Sequence, residues 1–144
     1  AAAAPPGAAK PGQRIGDEDR AYLTTMQGPV DALGKAIGAA NEQIERAGGK
    51  PDIASDAAWR RDTEAVIQSL RESSAKIRSA KPGPNTAPVQ RYATNVADRA
   101  DEAADGLSAA LNSGDTRSLT NVRTTLVRML AEINNMNLTL LDLQ

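Results

Sequence analysis

Four carboxylates are spaced so that they could form a cation-binding or catalytic site. They are Asp98, Asp101, Glu102 and Asp105. Steps of i, i+3, i+4 and i+7 place all four along one face of a helix. Carboxylate oxygens are the ligands that hard cations such as Ca²⁺ prefer, so one interpretation of this acidic stripe is a cation site. The loop spacing of an EF-hand is absent, and nothing indicates a cleft in which paired carboxylates would catalyse hydrolysis.

Ion pairing accounts for the same acidic stripe without a metal. In an antiparallel helical hairpin that turns near Gly114, Arg123 would lie level with Asp105. Arg128 would lie level with Asp101 in the same way. We therefore favour a solvated, ion-paired face and expect no metal site.

Three further side chains are candidates for a binding role: Trp59, Asn134 and Asn137. The two asparagines flank the most regular apolar row of the chain. We expect them to be partly buried and to fix the register of helix packing, with ligand binding as the alternative. Trp59 is expected to close one end of the core, with a surface binding role as its alternative.

The residue types that most catalytic and cofactor sites need are absent from the chain. Its 144 residues contain no His and no Cys. This removes the commonest general base, the thiolate nucleophile and the usual ligands of zinc and haem. The Glu-x-x-His pairs of di-iron bundles are excluded for the same reason. We therefore expect no catalytic residue, no cofactor and no enzymatic activity.

Charge and hydropathy argue against two further classes of function. The formal net charge of −1 argues against a basic nucleic-acid-binding surface. No uncharged apolar run approaches the roughly 18 residues that a membrane-spanning helix needs, so no integral membrane segment is expected. A protein partner or self-association is the expected mode of action, and a small-molecule ligand is the alternative.

Residues 23–27, with the sequence LTTMQ, resemble the LTxxQ motif of the periplasmic helical chaperones of the Spy and CpxP type. The resemblance covers five residues, and the second copy that this family carries on its cradle-shaped helical dimer is absent. What the resemblance implies is a bacterial, extracytoplasmic setting in which the protein is secreted, periplasmic or tethered to a surface.

Apolar residues at heptad spacing are the strongest structural signal. The clearest row steps through the last quarter of the chain by three and four residues, as in a helix that packs lengthwise against other helices. It comprises Leu119, Val122, Leu126, Met129, Ile133, Met136, Leu140 and Leu143. Together with weaker rows and the Gly/Pro-rich turns between them, it predicts helices over 17–48, 53–81, 86–112 and 115–143.

Local features predict where these helices begin and bend. Pro29 predicts a kink or a short break in the first helix, because proline lacks the backbone N–H and clashes with the preceding turn. Asp52 or Ser55 is the expected N-cap of the second helix. Asn85 or Thr86 is the expected N-cap of the third helix.

Two glycines four residues apart in the first helix predict a close helix crossing. Gly34 and Gly38 have the spacing of the GxxxG pairs of membrane helices. The charged neighbours Lys35 and Glu42 exclude a membrane setting. We therefore expect another helix to approach this pair closely in water.

The predicted architecture is an all-α, antiparallel up-down-up-down four-helix bundle over residues 17–144. Residues 1–16, composed mainly of Ala, Pro and Gly, predict a disordered, flexible arm, which either tethers the bundle or is a terminus without a role. The expected function is a non-enzymatic protein-interaction or structural module. An extracytoplasmic small-molecule sensor domain and a lipid- or surface-adsorbing helical protein are the alternatives.

Overall fold

Four α-helices packed against one another form the part of the chain that the computed structural model describes, residues 15–143. They are α1 (Asp17–Ala47), α2 (Ala57–Ser79), α3 (Ala87–Ser113) and α4 (Ser118–Asp142), and a 3-10 turn (Ile53–Ser55) precedes α2. The prediction of an all-α fold with four helices is confirmed. The predicted arm, residues 1–16, lies outside the described residues except for its last two.

α3 packs along both α2 and α4, and its buried face is built mainly of alanine. Six of its ten buried residues are alanines. Such small side chains let the neighbouring helices approach closely. A Cβ atom placed on Gly106 of α3 would lie 2.4 Å from Cγ2 of Val122 on α4. The bulk of the core therefore comes from its neighbours, with Leu70 of α2 and Leu126 and Met129 of α4 almost completely buried.

Contacts between α2 and α3 run in opposite order along the two helices. Arg71 of α2 pairs with Asp105 of α3. Arg78, further along α2, pairs with Asp98, which is further back along α3. This order is compatible with the predicted up-down-up-down arrangement.

α1 passes through Pro29 as one continuous helix, so the short break predicted there does not occur. Pro29 itself is buried, as are Met26 before it and Leu33 after it. Burial of this apolar row offsets the backbone hydrogen bond that proline cannot make.

α2 begins later than predicted. Asp56 is the N-cap, rather than Asp52 or Ser55, and its carboxylate accepts a hydrogen bond from the backbone N of Trp59 at 2.8 Å. The backbone N of Ser55 donates instead to the carbonyl of Asp52 at 2.9 Å. This bond closes the 3-10 turn, so the predicted start at residue 53 falls in that turn.

The N-termini of the last two helices differ in how they are held. Thr86 is the N-cap residue of α3, but its hydroxyl makes no capping bond to that helix. α4 begins at Ser118 rather than at 115. The reason is that the carboxylate of Asp115 accepts hydrogen bonds from the backbone N and the guanidinium of Arg117, which holds these residues in a turn.

A buried carboxylate joins the start of α1 to the turn between α2 and α3. Asp19 is 0% exposed. It accepts hydrogen bonds from the backbone N of Thr86 (3.0 Å), Asn85 (3.1 Å) and Gly16 (3.2 Å), and from the Thr86 hydroxyl (2.9 Å). Burial raises the pKa of Asp19, but the hydrogen bonds from Thr86, Gly16 and Asn85 together bring it below its ordinary value. We call these four residues the Asp19 clamp.

A second hydrogen-bond chain lies one turn further along α1. The hydroxyl of Tyr22 donates to Oε1 of Gln90 on α3, and Nε2 of Gln90 donates to the carbonyl of Ile77 on α2 at 3.0 Å. Burial raises the pKa of Tyr22 to about 12, so the phenol stays protonated and acts as the donor. Three helices are thereby tied together at the end of the bundle that holds the Asp19 clamp.

The other end of α1 is fixed to α2 by a buried network of Gln43, Trp59 and Thr63, the Trp59 network. Nε1 of Trp59 donates to the Gln43 carbonyl at 3.0 Å. Nε2 of Gln43 donates to the Trp59 carbonyl at 3.2 Å and to the Thr63 hydroxyl at 2.8 Å. All three residues are buried, so α1 is held by buried hydrogen bonds at both of its ends.

The Asp19 clamp predicts the effect of a single-atom change. Asp19→Asn brings an amide donor to a site that supplies only donors, so we expect it to lower the free energy of unfolding by about 1–3 kcal/mol. Urea unfolding followed by the fluorescence of Trp59, the only tryptophan, measures this. Asp17→Asn, in the same turn but exposed, is the control and should change stability by less than about 0.5 kcal/mol. Equal effects of the two substitutions would contradict the clamp.

The clamp also predicts a pH dependence of stability. The pKa of Asp19 is lower in the folded chain than in the unfolded chain, where it is about 3.9. The stabilisation by Asp19 is therefore complete above about pH 5 and is lost as the pH falls toward the lowered folded pKa. The difference in unfolding free energy between the wild type and Asp19→Asn should shrink over this range in urea titrations. If the difference in unfolding free energy stayed constant or grew as the pH fell, the folded state would not favour the charged form of Asp19.

Candidate interaction surface

Trp59, the first sequence candidate, lies inside the bundle. Its side chain is fully buried and its indole N–H is bonded to Gln43. It therefore presents no surface to a partner, and its position beside the 3-10 turn serves the packing of α1 against α2.

Asn134 and Asn137 are both exposed, which corrects the expectation that they are partly buried. Asn134 lies in the same heptad row as Val127 and Leu141, and this row faces solvent. Asn137 borders a groove that it shares with Met26. The structure thus places the two asparagines on the outer face of α4, beside each other but outside the core.

The outer face of α4 carries a second set of apolar side chains. Val127, Leu130, Leu138 and Leu141 are 61%, 49%, 53% and 63% exposed. We call these four residues the α4 stripe. Within residues 15–143, the exposed large apolar side chains all belong to this stripe. Clustered apolar exposure of this kind marks interaction sites on soluble proteins.

The acidic stripe of α3 is paired with α2. Arg78 contacts Asp98 at 2.6 Å and also contacts Asp101, while Arg71 contacts Asp105 at 3.1 Å. The hydrogen bonds to these carboxylates raise the pKa of Arg78 further. The predicted ion pairing of the stripe is therefore present, along the edge between α2 and α3.

The predicted partners of the acidic stripe were wrong. Arg123 and Arg128 lie on α4, whereas the stripe faces the cationic second half of α2. The remaining carboxylate, Glu102, pairs with Arg99 of its own helix at 3.1 Å. In the described part of the chain, no group of three or more acidic, His or Cys side chains is placed to hold a metal ion.

A groove of about 580 Å³ runs between α1 and α2. Alanines such as Ala36 and Ala65 line it, and charged residues of both signs border it, including Lys35, Glu42 and Asp62. The charges of this groove alternate in sign, so it has no electrostatic preference for one class of ligand.

Two further grooves lie between α1 and α4, one near each end of the helix pair. The groove of about 300 Å³ holds Met26 and Val30 of α1 with Leu140 of α4. The groove of about 360 Å³ at the other end holds Ile44 of α1 with Arg123 of α4. Direct contacts between α1 and α4 are sparse, which makes this the most open side of the bundle.

No helix within residues 15–143 crosses the glycine pair of α1, so the predicted close crossing is not made by this chain. Gly34 and Gly38 are both exposed. A Cβ atom placed on either would meet no other residue within 4 Å. The pair instead forms a smooth, open edge of α1, which we call the glycine edge.

Comparison of the chain with protein-family models, with curated proteins and with solved structures gave no match. The functional interpretation therefore rests on the geometry of this chain. A search of the described helices for a segment long and apolar enough to cross a membrane found none.

The α4 stripe was missed from the sequence although its signal was present. Val127, Leu130, Leu138 and Leu141 repeat at heptad-related spacing beside the predicted core row. A helix with two adjacent apolar rows fits equally well a helix buried more deeply in the bundle. Only the packing of α3 shows which of the two rows is left outside.

The exposure of the two asparagines yields a stability prediction. Asn134→Ala together with Asn137→Ala should leave the free energy of unfolding unchanged or raise it slightly, because alanine has the higher helix propensity and no buried bond is lost. Thermal unfolding of the wild type and the double variant measures this. A loss of more than about 1 kcal/mol would mean that the asparagines fix the register of the core after all.

Proposed function

We propose that this chain is a non-enzymatic, up-down-up-down four-helix bundle that acts as a protein-interaction or structural module. The α4 stripe is its docking surface, and residues 1–16 serve as the tether.

The observation that carries the proposal is the contrast between the two apolar faces of α4. One face is buried in the core, with Leu119, Val122 and Leu126 each less than 5% exposed. The other face holds the α4 stripe, whose four side chains are each about half exposed or more. A surface of this kind is stabilised when a partner covers it, since about 25 cal/mol is gained per Å² of apolar surface removed from water.

The buried polar side chains of the bundle support the same proposal because most of them are engaged in holding its elements together. Asp19 and Gln43 are buried and hydrogen-bonded to other elements. Arg78 is paired with two carboxylates of α3. These interactions serve architecture, and α4 is left as the helix whose surface chemistry the fold does not use.

The two alternatives differ from this proposal in the surface that they need. A small-molecule sensor needs a pocket that covers most of its ligand. The grooves beside α1 are instead bordered by exposed side chains such as Glu42 and Gln27. A lipid-adsorbing helix needs a face flanked by several cations. α4 carries two arginines and two acidic residues.

Site-specific photo-crosslinking in cells of the source organism tests the proposal. A photoreactive residue at Val127 or Leu141 should give a discrete protein adduct. The same residue at Ala58 of α2 or Ala109 of α3, both exposed, should give none. Adducts of equal yield at all four positions, or at none, would contradict the proposed docking surface.

Two further measurements address the alternatives. Stable binding of the purified protein to anionic phospholipid vesicles would support the lipid-adsorbing protein instead. A metabolite that raises the melting temperature by several degrees would support the sensor.

A further inference from the structure

We infer that the α1–α4 face binds a second copy of this chain, with the α4 stripe of each copy packed against the glycine edge of the other. The inference rests on the proposed function, because it names the partner of the same surface. Three observations support it: the alignment of α1 with α4, the shape of the surface of each helix, and the charged residues along both helices.

The two grooves between α1 and α4 show which residues of the two helices lie level, that is, at the same height along the bundle axis. At one end, residues 23–31 share a groove with residues 136–140. At the other end, residues 44–49 share a groove with residues 116–123. In an antiparallel pair of helices, the residue numbers of two facing positions add up to the same value all along the pair. The sums at the two ends are nearly equal, so the alignment of α1 with α4 does not change along their length.

This alignment places the glycine edge level with the first half of the α4 stripe. Gly38 lies level with about residue 128, and Gly34 with about residue 132, at the rise of about 1.5 Å per residue that both helices share. Val127 and Leu130 therefore stand beside the two glycines in the same chain.

The glycines and the stripe also point out of the same side of the bundle. Gly34 and Gly38 lie one heptad beyond Gln27 and Asp31, which border the α1–α4 groove. On the other helix, Leu130 lies one heptad beyond Arg123, which borders the second groove. One face of the molecule therefore carries an apolar ridge beside an edge without side chains.

In a dimer with a two-fold axis parallel to the helices, the residues that lie side by side in one chain contact each other between the two copies. Such an axis places α4 of one copy opposite α1 of the other while keeping every residue at its own level. Val127 and Leu130 of each copy then meet Gly34 and Gly38 of the other. The absence of Cβ atoms lets the two helices approach closely, as in other small-residue crossings.

The polar residues of the face are complementary under the same symmetry. Arg123 lies nearly level with Glu45, and Asn134 with Asp31, by the alignment given above. All four side chains are exposed, and none makes a hydrogen bond or ion pair within residues 15–143. The two-fold axis brings Arg123 of each copy to Glu45 of the other. It also brings Asn134 of each copy to Asp31 of the other. Such charge complementarity favours a second copy over an unrelated protein.

The size of the face suits a reversible dimer. α4 has 25 residues and is about 37 Å long, and a face two helices wide is about 20 Å across. This gives roughly 700 Å² per copy, near the 800 Å² per partner of a standard interface. Because each copy contributes only four large exposed apolar side chains to it, we expect a dissociation constant on the order of micromolar.

Analytical ultracentrifugation of the full chain tests the inference. The wild type should pass from monomer to dimer between about 1 µM and about 1 mM. The double substitution Gly34→Gln and Gly38→Gln fills the glycine edge and should weaken the dimer at least about tenfold, which is 1.4 kcal/mol. The monomer should unfold at the same temperature or higher, because Gln has a greater helix propensity than Gly.

Two controls separate this contact from a general loss of association. Ala32→Gln, exposed on the α2 side of α1, should leave the dimer unchanged. Arg123→Glu and Glu45→Arg should each weaken the dimer, and the variant with both exchanges should recover it. Recovery by charge exchange is expected only if these two side chains meet across the interface.

Two results would overturn the inference. One is a wild type that stays monomeric over the whole concentration range. The other is a dimer that the glycine substitutions leave intact. If crosslinks from the α4 stripe then identify a different protein, the proposed interaction function stands without the second copy. If the stripe gives no crosslink, both fail.

Discussion

The position of α1 along the bundle depends on buried hydrogen bonds at its two ends. α1 touches α4 sparsely, so apolar packing between these two helices does little to set their offset. The Asp19 clamp holds the start of α1 to the α2–α3 turn, and the Trp59 network holds its second half to α2. A slip of one turn, about 5.4 Å, would leave Asp19 charged and unpaired in the interior. The levels of all residues on the α1–α4 face follow from this constraint.

The alanine face of α3 explains why α4 has an exposed apolar side. α3 lies between α2 and α4 and brings both close through its small side chains. α4 then buries one row of large residues against it, and this row suffices to fill the space available. The α4 stripe lies on the side turned away from α3 and toward the open groove beside α1. The same packing therefore produces a filled core and an unused apolar surface.

The sequence predicted those features that depend on local periodicity. Heptad spacing gave the number of helices and most of the inner row of α4, including Leu126 and Met129, because each position depends only on its near neighbours. Features that depend on distant residues were missed. The role of Asp19 was one of them, because its partner Thr86 is 67 residues away.

Where a residue has two possible neighbours, the sequence did not decide between them. The acidic stripe of α3 was expected to face α4, the next helix in the hairpin. Its carboxylates instead form ion pairs with Arg71 and Arg78 of α2. The glycine pair was expected to mark a close helix crossing, but no helix within residues 15–143 crosses it. In each case the period of the pattern was correct, and the choice of facing helix required the tertiary structure.

Disulfide capture between copies is a direct test of whether α4 packs against the glycine edge, because the chain contains no cysteine of its own. Two single-cysteine variants, Gly38→Cys and Val127→Cys, are mixed and oxidised under mild conditions. The mixture should form a covalent dimer faster than either variant alone, because Gly38 of one copy faces Val127 of the other. If each variant alone crosslinks as fast as the mixture, or if Asn134→Cys alone crosslinks fastest, then α4 does not pack against the glycine edge and the account is contradicted.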